Sequence, residues 1–159
     1  MGADICWYGG TNSGWHTWNR HKEMTLRTVV LVDDEEDIVL YLQTALEDAG
    51  FRALTASNAA EGLELIRQEI PDVVCLDILM PGESGLSLYQ RMRGDDQLKG
   101  IPVLISSALN VSKELGDIAF SILPDGTEVP EPDGVVEKPV TAEQFVAAVN
   151  KLIRNGNAD

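Results

Sequence analysis

Asp33-Asp34, Asp77, Ser107 and Lys138 are the residues of this chain whose types and placement could do chemistry together. They stand in Val32-Asp33-Asp34-Glu35, Leu76-Asp77-Ile78, Ile105-Ser106-Ser107-Ala108 and Glu137-Lys138-Pro139. Each lies at the predicted end of a β-strand. Side chains at the carboxyl ends of parallel strands share one crevice. Three carboxylates, a hydroxyl and an ammonium in such a crevice are the parts needed to bind Mg²⁺ and hold a phosphoryl group on an aspartate.

The elements that must position them follow from hydrophobic spacing. Thr28–Val32 is a short β-branched run and reads as a strand. Over 35–49, apolar residues at Ile38, Leu42, Ala45, Leu46 and Ala49 keep helical spacing, and Gly50 stops the helix. Phe51–Ala56 is a second strand. Asn58 with Glu61 makes a capping start for a helix to about Gln68. Val73–Leu76 is a continuous apolar run, as expected for a central strand buried on both faces. A helix over 85–93, a strand over 102–106, a helix over 112–123 and a short strand over 135–137 follow. Thr141 with Gln144 is a capping box opening a last helix to about Ile153. Five strands alternating with five helices predict an α/β fold, a doubly wound parallel sheet covered on both sides. Residues 124–134 form an acidic, proline-rich stretch without periodicity and read as a surface loop.

Bulk properties exclude several classes. The chain has 159 residues, enough for one domain with a real core. A formal net charge of −14 repels phosphate backbones and anionic membranes, so no nucleic-acid or membrane partner is expected. No apolar run approaches a membrane span. Of the two cysteines, Cys75 lies in an apolar run and Cys6 in a tail, so a reducing cytoplasm is the expected compartment. Residues 1–23 differ from the rest. All three Trp (Trp7, Trp15, Trp18) and both His (His16, His21) fall there, without apolar periodicity. They read as a leader or loose tail, with a docking arm as the sharper alternative. The expected division is 1–25 as tail, 26–155 as the folded domain and 156–159 as a C-terminal tail.

The ordered set Val30-Leu31-Val32-Asp33-Asp34-Glu35, Leu76-Asp77-Ile78-Leu79-Met80-Pro81-Gly82, Ser107-Ala108 and Lys138-Pro139 resembles the receiver domain of two-component response regulators. The resemblance implies a flavodoxin-like (βα)5 sheet in the order 2-1-3-4-5. It implies that Asp77 accepts a phosphoryl group from a histidine kinase or histidine phosphotransfer protein. By the same likeness Asp34 and Asp77 contact Mg²⁺ directly, Asp33 acts through water, and the Leu79 backbone carbonyl is a further ligand. Ser107 would hydrogen-bond the phosphoryl group, Lys138 would neutralise it, and the Lys138–Pro139 bond would be cis. Ser106 competes with Ser107; Ala108 after Ser107 favours the latter. For Asp33-Asp34 alone, helix capping is the simpler reading.

The chain also departs from the family pattern. Val135 stands where receivers usually carry an aromatic residue, three positions before the Lys. The 124–134 loop replaces a tight turn and is expected to alter partner choice or block dimers, leaving a monomer or weak dimer. Leu79 and Leu109 cannot orient an attacking water, so slow dephosphorylation is expected. Competing readings are a degenerate receiver acting only as an interaction module, a receiver excised from a larger regulator, and a haloacid-dehalogenase-type phosphatase. The last needs an Asp where Leu79 stands.

Overall fold

Alternation of apolar residues along short β-branched runs decides the layers. The computed structural model describes residues 26–80, 85–107, 126 and 128–156. Its elements are β1 (Thr28–Val32), α1 (Glu36–Asp48), β2 (Arg52–Ala56), α2 (Ala59–Glu69), β3 (Val73–Asp77), α3 (Gly85–Gly94), β4 (Val103–Ser107), β5 (Gly134–Glu137) and α4 (Ala142–Gly156). The strands form one parallel sheet in the order β2-β1-β3-β4-β5. The predicted fold class and strand order are therefore what the structure shows. The helix expected over 112–123 lies outside the described residues.

Successive side chains on a strand face opposite ways, so β1 to β4 each feed two cores. Val30, Val32, Val74, Leu76, Val103 and Ile105 pack under α2 and α3, with Leu63, Ile66, Leu88, Tyr89 and Met92. Val29, Leu31, Val73, Cys75 and Leu104 pack under α1 and α4, with Leu42, Leu46, Phe145 and Val149. β3 is buried along its whole length, which explains its unbroken apolar run. Burial pushes the Cys75 thiol far up, so it is an inert piece of that core.

Local signals set the helix ends. The Asn58 side chain accepts the Glu61 N–H at 2.9 Å. At α4 the capping box is reciprocal: Thr141 Oγ1 accepts the Gln144 N–H, and Gln144 Oε1 accepts the Thr141 N–H, each at 3.2 Å. Gly50 follows α1 at φ +90°, a conformation that favours glycine.

The acidic loop is tied to the core more closely than its lack of periodicity suggests. Among its described residues, Val129 is buried in the core under α3. Pro130 O accepts the Tyr89 hydroxyl at 2.6 Å. Asp133 Oδ2 accepts from Arg93 Nη2 at 2.7 Å and from the Val103 N–H at 2.8 Å. The Arg93 guanidinium also donates to the Lys99 and Ile101 carbonyls and sits 4.8 Å from the Tyr89 ring centre. The stretch before β5 is thus bolted to α3 and the start of β4.

Candidate functional site at the carboxyl ends of the strands

β1 and β3 are neighbours with Val32 opposite Leu76, so the next residues, Asp33 and Asp77, stand side by side at the sheet's edge. Asp77 is the last residue of β3 and Asp33 the first beyond β1; both are buried. Lys138 follows β5 through a cis Lys138–Pro139 bond. Its Nζ reaches Asp33 Oδ2 at 2.7 Å, Asp77 Oδ2 at 3.4 Å and Glu35 Oε1 at 3.8 Å. One ammonium thus faces three carboxylates contributed by segments far apart in sequence.

Two backbone amides hold the buried acids in place. Asp77 Oδ1 accepts the Leu79 N–H at 3.1 Å, and Asp33 Oδ1 accepts the Glu35 N–H at 3.0 Å. The Asp33 contact is a two-residue turn just ahead of α1, whose N-cap, Glu35, has no side-chain cap, so the simpler reading of the acidic pair as a helix cap is not what forms. Gly85 makes room for Asp77: a Cβ on Gly85 would fall 1.9 Å from the Asp77 carbonyl oxygen, so α3 can begin this close to β3 only with glycine.

Burial is the largest influence on Asp77 and raises its carboxyl above the ordinary value; Lys138 opposes this, the Asp33 charge adds to it, and the Leu79 N–H opposes it. For Lys138, burial would lower the ammonium, but the Asp33 hydrogen bond and charge, then Asp77, raise it overall. The ammonium therefore stays charged at neutral pH.

Oxygens of Asp33, Glu35 and Asp77 lie within 4.8 Å of one another. Hard carboxylate oxygens at this spacing suit a small divalent cation such as Mg²⁺. The cluster takes in Glu35, which the sequence reading passed over, while Asp34 is half-buried beside it. The one signal for Glu35 was its place directly after the acidic pair. Leu79 is exposed beside Asp77, with its backbone at the crevice. The backbone of Ser107 ends β4 opposite Glu137; its side chain lies outside the described residues, as does Leu109. Ser106, the competing hydroxyl, pairs in register with Asp77. Its Oγ is buried without a hydrogen-bond partner among the described residues, and Ser106 lines a cavity of about 10 Å³ shared with Asp33, Asp77 and Cys75.

A family model described as the response regulator receiver domain matches residues 29–150. A "probable transcriptional regulator ycf27" of Guillardia theta is 37% identical over 87% of this chain and 51% of its own length. The "polar-differentiation response regulator DivK" of Brucella anthropi is 27% identical over 80% of this chain and 96% of its own. The chain spans about half the length of most of the curated relatives it matches first. Among solved structures, a Francisella response regulator receiver domain is 28% identical, with a TM-score of 0.66 over 81% of this chain and 98% of the other. A receiver domain protein from Clostridium thermocellum is 26% identical, with a TM-score of 0.67 over 82% and 96%.

Proposed function

We propose that this chain, which belongs to the response regulator receiver domain family, accepts a phosphoryl group on Asp77 from the phosphohistidine of a kinase or phosphotransfer protein. One observation carries the reading: Lys138 Nζ bridges Asp33 and Asp77, at 2.7 and 3.4 Å, where two neighbouring strands end. A carboxylate anchored at mid-sheet and faced by a fixed cation is placed to attack phosphorus.

A carboxylate oxygen of Asp77 forms the new P–O bond as the donor's P–N bond breaks, and the imidazole leaves with the electron pair and takes up a proton. Lys138 then turns from its carboxylate partners toward a phosphoryl oxygen as a point charge. Ser107 is assigned the hydrogen bond to another phosphoryl oxygen. As the family likeness implies, Asp34 and Asp77 would hold Mg²⁺ directly, Asp33 through water and the Leu79 carbonyl as a further ligand, with Glu35 beside them. When bound, Mg²⁺ supplies positive charge to the phosphoryl oxygens. Later attack of water on phosphorus releases phosphate and restores the carboxylate; Leu79 and Leu109 offer that water no polar group, so this step is slow.

In this reading the folded unit covers residues 26–155 and works as a stand-alone relay or target-binding receiver in the cytoplasm, monomeric or weakly dimeric. A second reading, a receiver unit within a longer regulator, is favoured by the half-length match to the first relatives. Among the described residues no helix is long and apolar enough to cross a membrane. The test is incubation with a small phosphodonor and Mg²⁺, read by intact mass. The wild type gains one phosphoryl group and Asp77→Asn gains none; a gain in both moves the acceptor elsewhere.

A further inference from the structure

β5 delivers Lys138 to the site, yet little within the strand holds it. It is four residues long, lies at one edge of the sheet and pairs with β4 alone among the described residues. None of its residues is buried, whereas β3 is buried throughout. Val135 is 43% exposed. Gly134, its first residue, has no side chain to pack, and a Cβ there would fall 2.9 Å from Leu104 Cδ1. A strand with so few buried apolar contacts opens locally unless something else fastens it.

Both ends of β5 are fastened by charge. At the far end Lys138 Nζ meets Asp33 Oδ2 at 2.7 Å. At the near end Asp133, the residue before Gly134, puts one oxygen on two anchors: Oδ2 accepts from Arg93 Nη2 at 2.7 Å and from the Val103 N–H at 2.8 Å. Both anchors are themselves held. Val103 opens β4, the strand beside β5. The Arg93 side chain is 5% exposed and donates to the Lys99 and Ile101 carbonyls at 2.7 and 2.9 Å. Five residue steps of about 3.3 Å, roughly 17 Å in all, carry the chain from Asp133 to Lys138. β5 is thus a short rod gripped at its two ends, and the seat of the near end sets the reach of the far one.

We propose that Asp133 is a positioning residue for Lys138: it pins the start of β5 and, through the strand, holds the ammonium against Asp33 and Asp77. The consequence for reaction rate rests on the phosphoacceptor role of Asp77 proposed above; the consequence for geometry does not. A cation in phosphoryl transfer works by placement, and a misplacement of about 1 Å costs roughly a hundredfold in rate. Asp133 lies at the opposite end of β5 from the carboxylate cluster, so its removal leaves Asp33, Glu35 and Asp77 in place.

The test reads the Lys138 ammonium by ¹⁵N–¹H nuclear magnetic resonance in chelator, the signal being assigned by its disappearance in Lys138→Met. It is paired with the rate of phosphorylation by acetyl phosphate and Mg²⁺, followed by intact mass. In Asp133→Ala with native far-UV circular dichroism, the Lys138 correlation shifts or broadens away and the rate falls about tenfold to a hundredfold. Asp133→Asn keeps an oxygen acceptor without the charge and gives the same two changes at smaller amplitude; it carries the test should the alanine variant not fold. Leu63→Ala, a core truncation of comparable cost beneath α2, leaves the Lys138 correlation where it stands in the wild type. Folded Asp133→Ala, or Asp133→Asn in its stead, with the wild-type correlation overturns the proposal, whatever its rate. A Leu63→Ala variant that moves Lys138 as far as Asp133→Ala does overturns it as well. A wild type that takes up no phosphoryl group, while Asp133→Ala still moves the Lys138 correlation, strikes the acceptor role of Asp77 alone and upholds Asp133 as the anchor.

Discussion

Burial raises the Asp77 carboxyl, Lys138 only partly offsets this, and the neighbouring Asp33 charge adds to the rise. A carboxyl held above its unfolded value of about 3.8 contributes stability that is whole below that value and is lost as pH rises through the folded one. In chelator, Asp77→Asn should therefore gain stability over the wild type between about pH 4 and 7, and the gap should close in acid. Thermal melts across that range check this; a gap that is flat or reversed contradicts it. The two adjacent serines separate in the same way. Ser106 Oγ is buried without a partner among the described residues, so Ser106→Ala should be neutral to about 1 kcal/mol stabilising, read in urea, and should leave phosphorylation near the wild-type rate. Ser107→Ala should slow phosphorylation by small donors about a hundredfold, the low end of what loss of one transition-state hydrogen-bond donor costs.

At the scale of elements, what the sequence made legible is what neighbouring residues decide among themselves. The Asn58 and Thr141 caps form as their spacing predicts, and β3 is the buried central strand that its apolar run announces. What the sequence hid depends on partners distant along the chain. The loop before β5 reads as polar surface, yet Val129, Pro130 and Asp133 are tied to α3, with Arg93–Asp133 spanning 40 residues. Gly85 carried no local sign that its missing side chain admits the Asp77 carbonyl. The loop latch should be energetically substantial. Asp133→Ala leaves the Arg93 side chain, 5% exposed, short of its anionic partner and orphans the Val103 N–H. The expected cost is about 3 kcal/mol by urea denaturation, reduced from a fully buried pair because Asp133 is partly solvated. A loss below about 0.5 kcal/mol would show that the loop merely rests on α3.

Across the whole molecule, an acidic chain concentrates uncompensated charge where its strands end. The net charge is −14, and the Asp33, Glu35 and Asp77 carboxylates share one facing lysine. The family likeness named Asp33, Asp77 and Lys138, and the structure brings those three together; Glu35 became visible only with coordinates, since its approach to Lys138 depends on how the chain leaves β1. Relief of this repulsion links Mg²⁺ to stability. At a hundredfold excess over its dissociation constant, Mg²⁺ should stabilise the wild type by about 2.7 kcal/mol. That gain should shrink sharply in Asp77→Ala and in Asp34→Ala, and a smaller loss in Glu35→Ala would rank Glu35 as an accessory ligand. Equal stabilisation of all three variants would place the cation elsewhere.

The most direct measurement is the position of the phosphoryl bond. Phosphorylated protein is reduced with borohydride, which converts an aspartyl phosphate to homoserine, and is then digested and sequenced by mass spectrometry. Homoserine is expected at position 77, dependent on Mg²⁺ and lost in Lys138→Met. Homoserine at Asp33 or Asp34 with Asp77 intact, or no reducible acyl phosphate in protein that has gained phosphoryl mass, would contradict it.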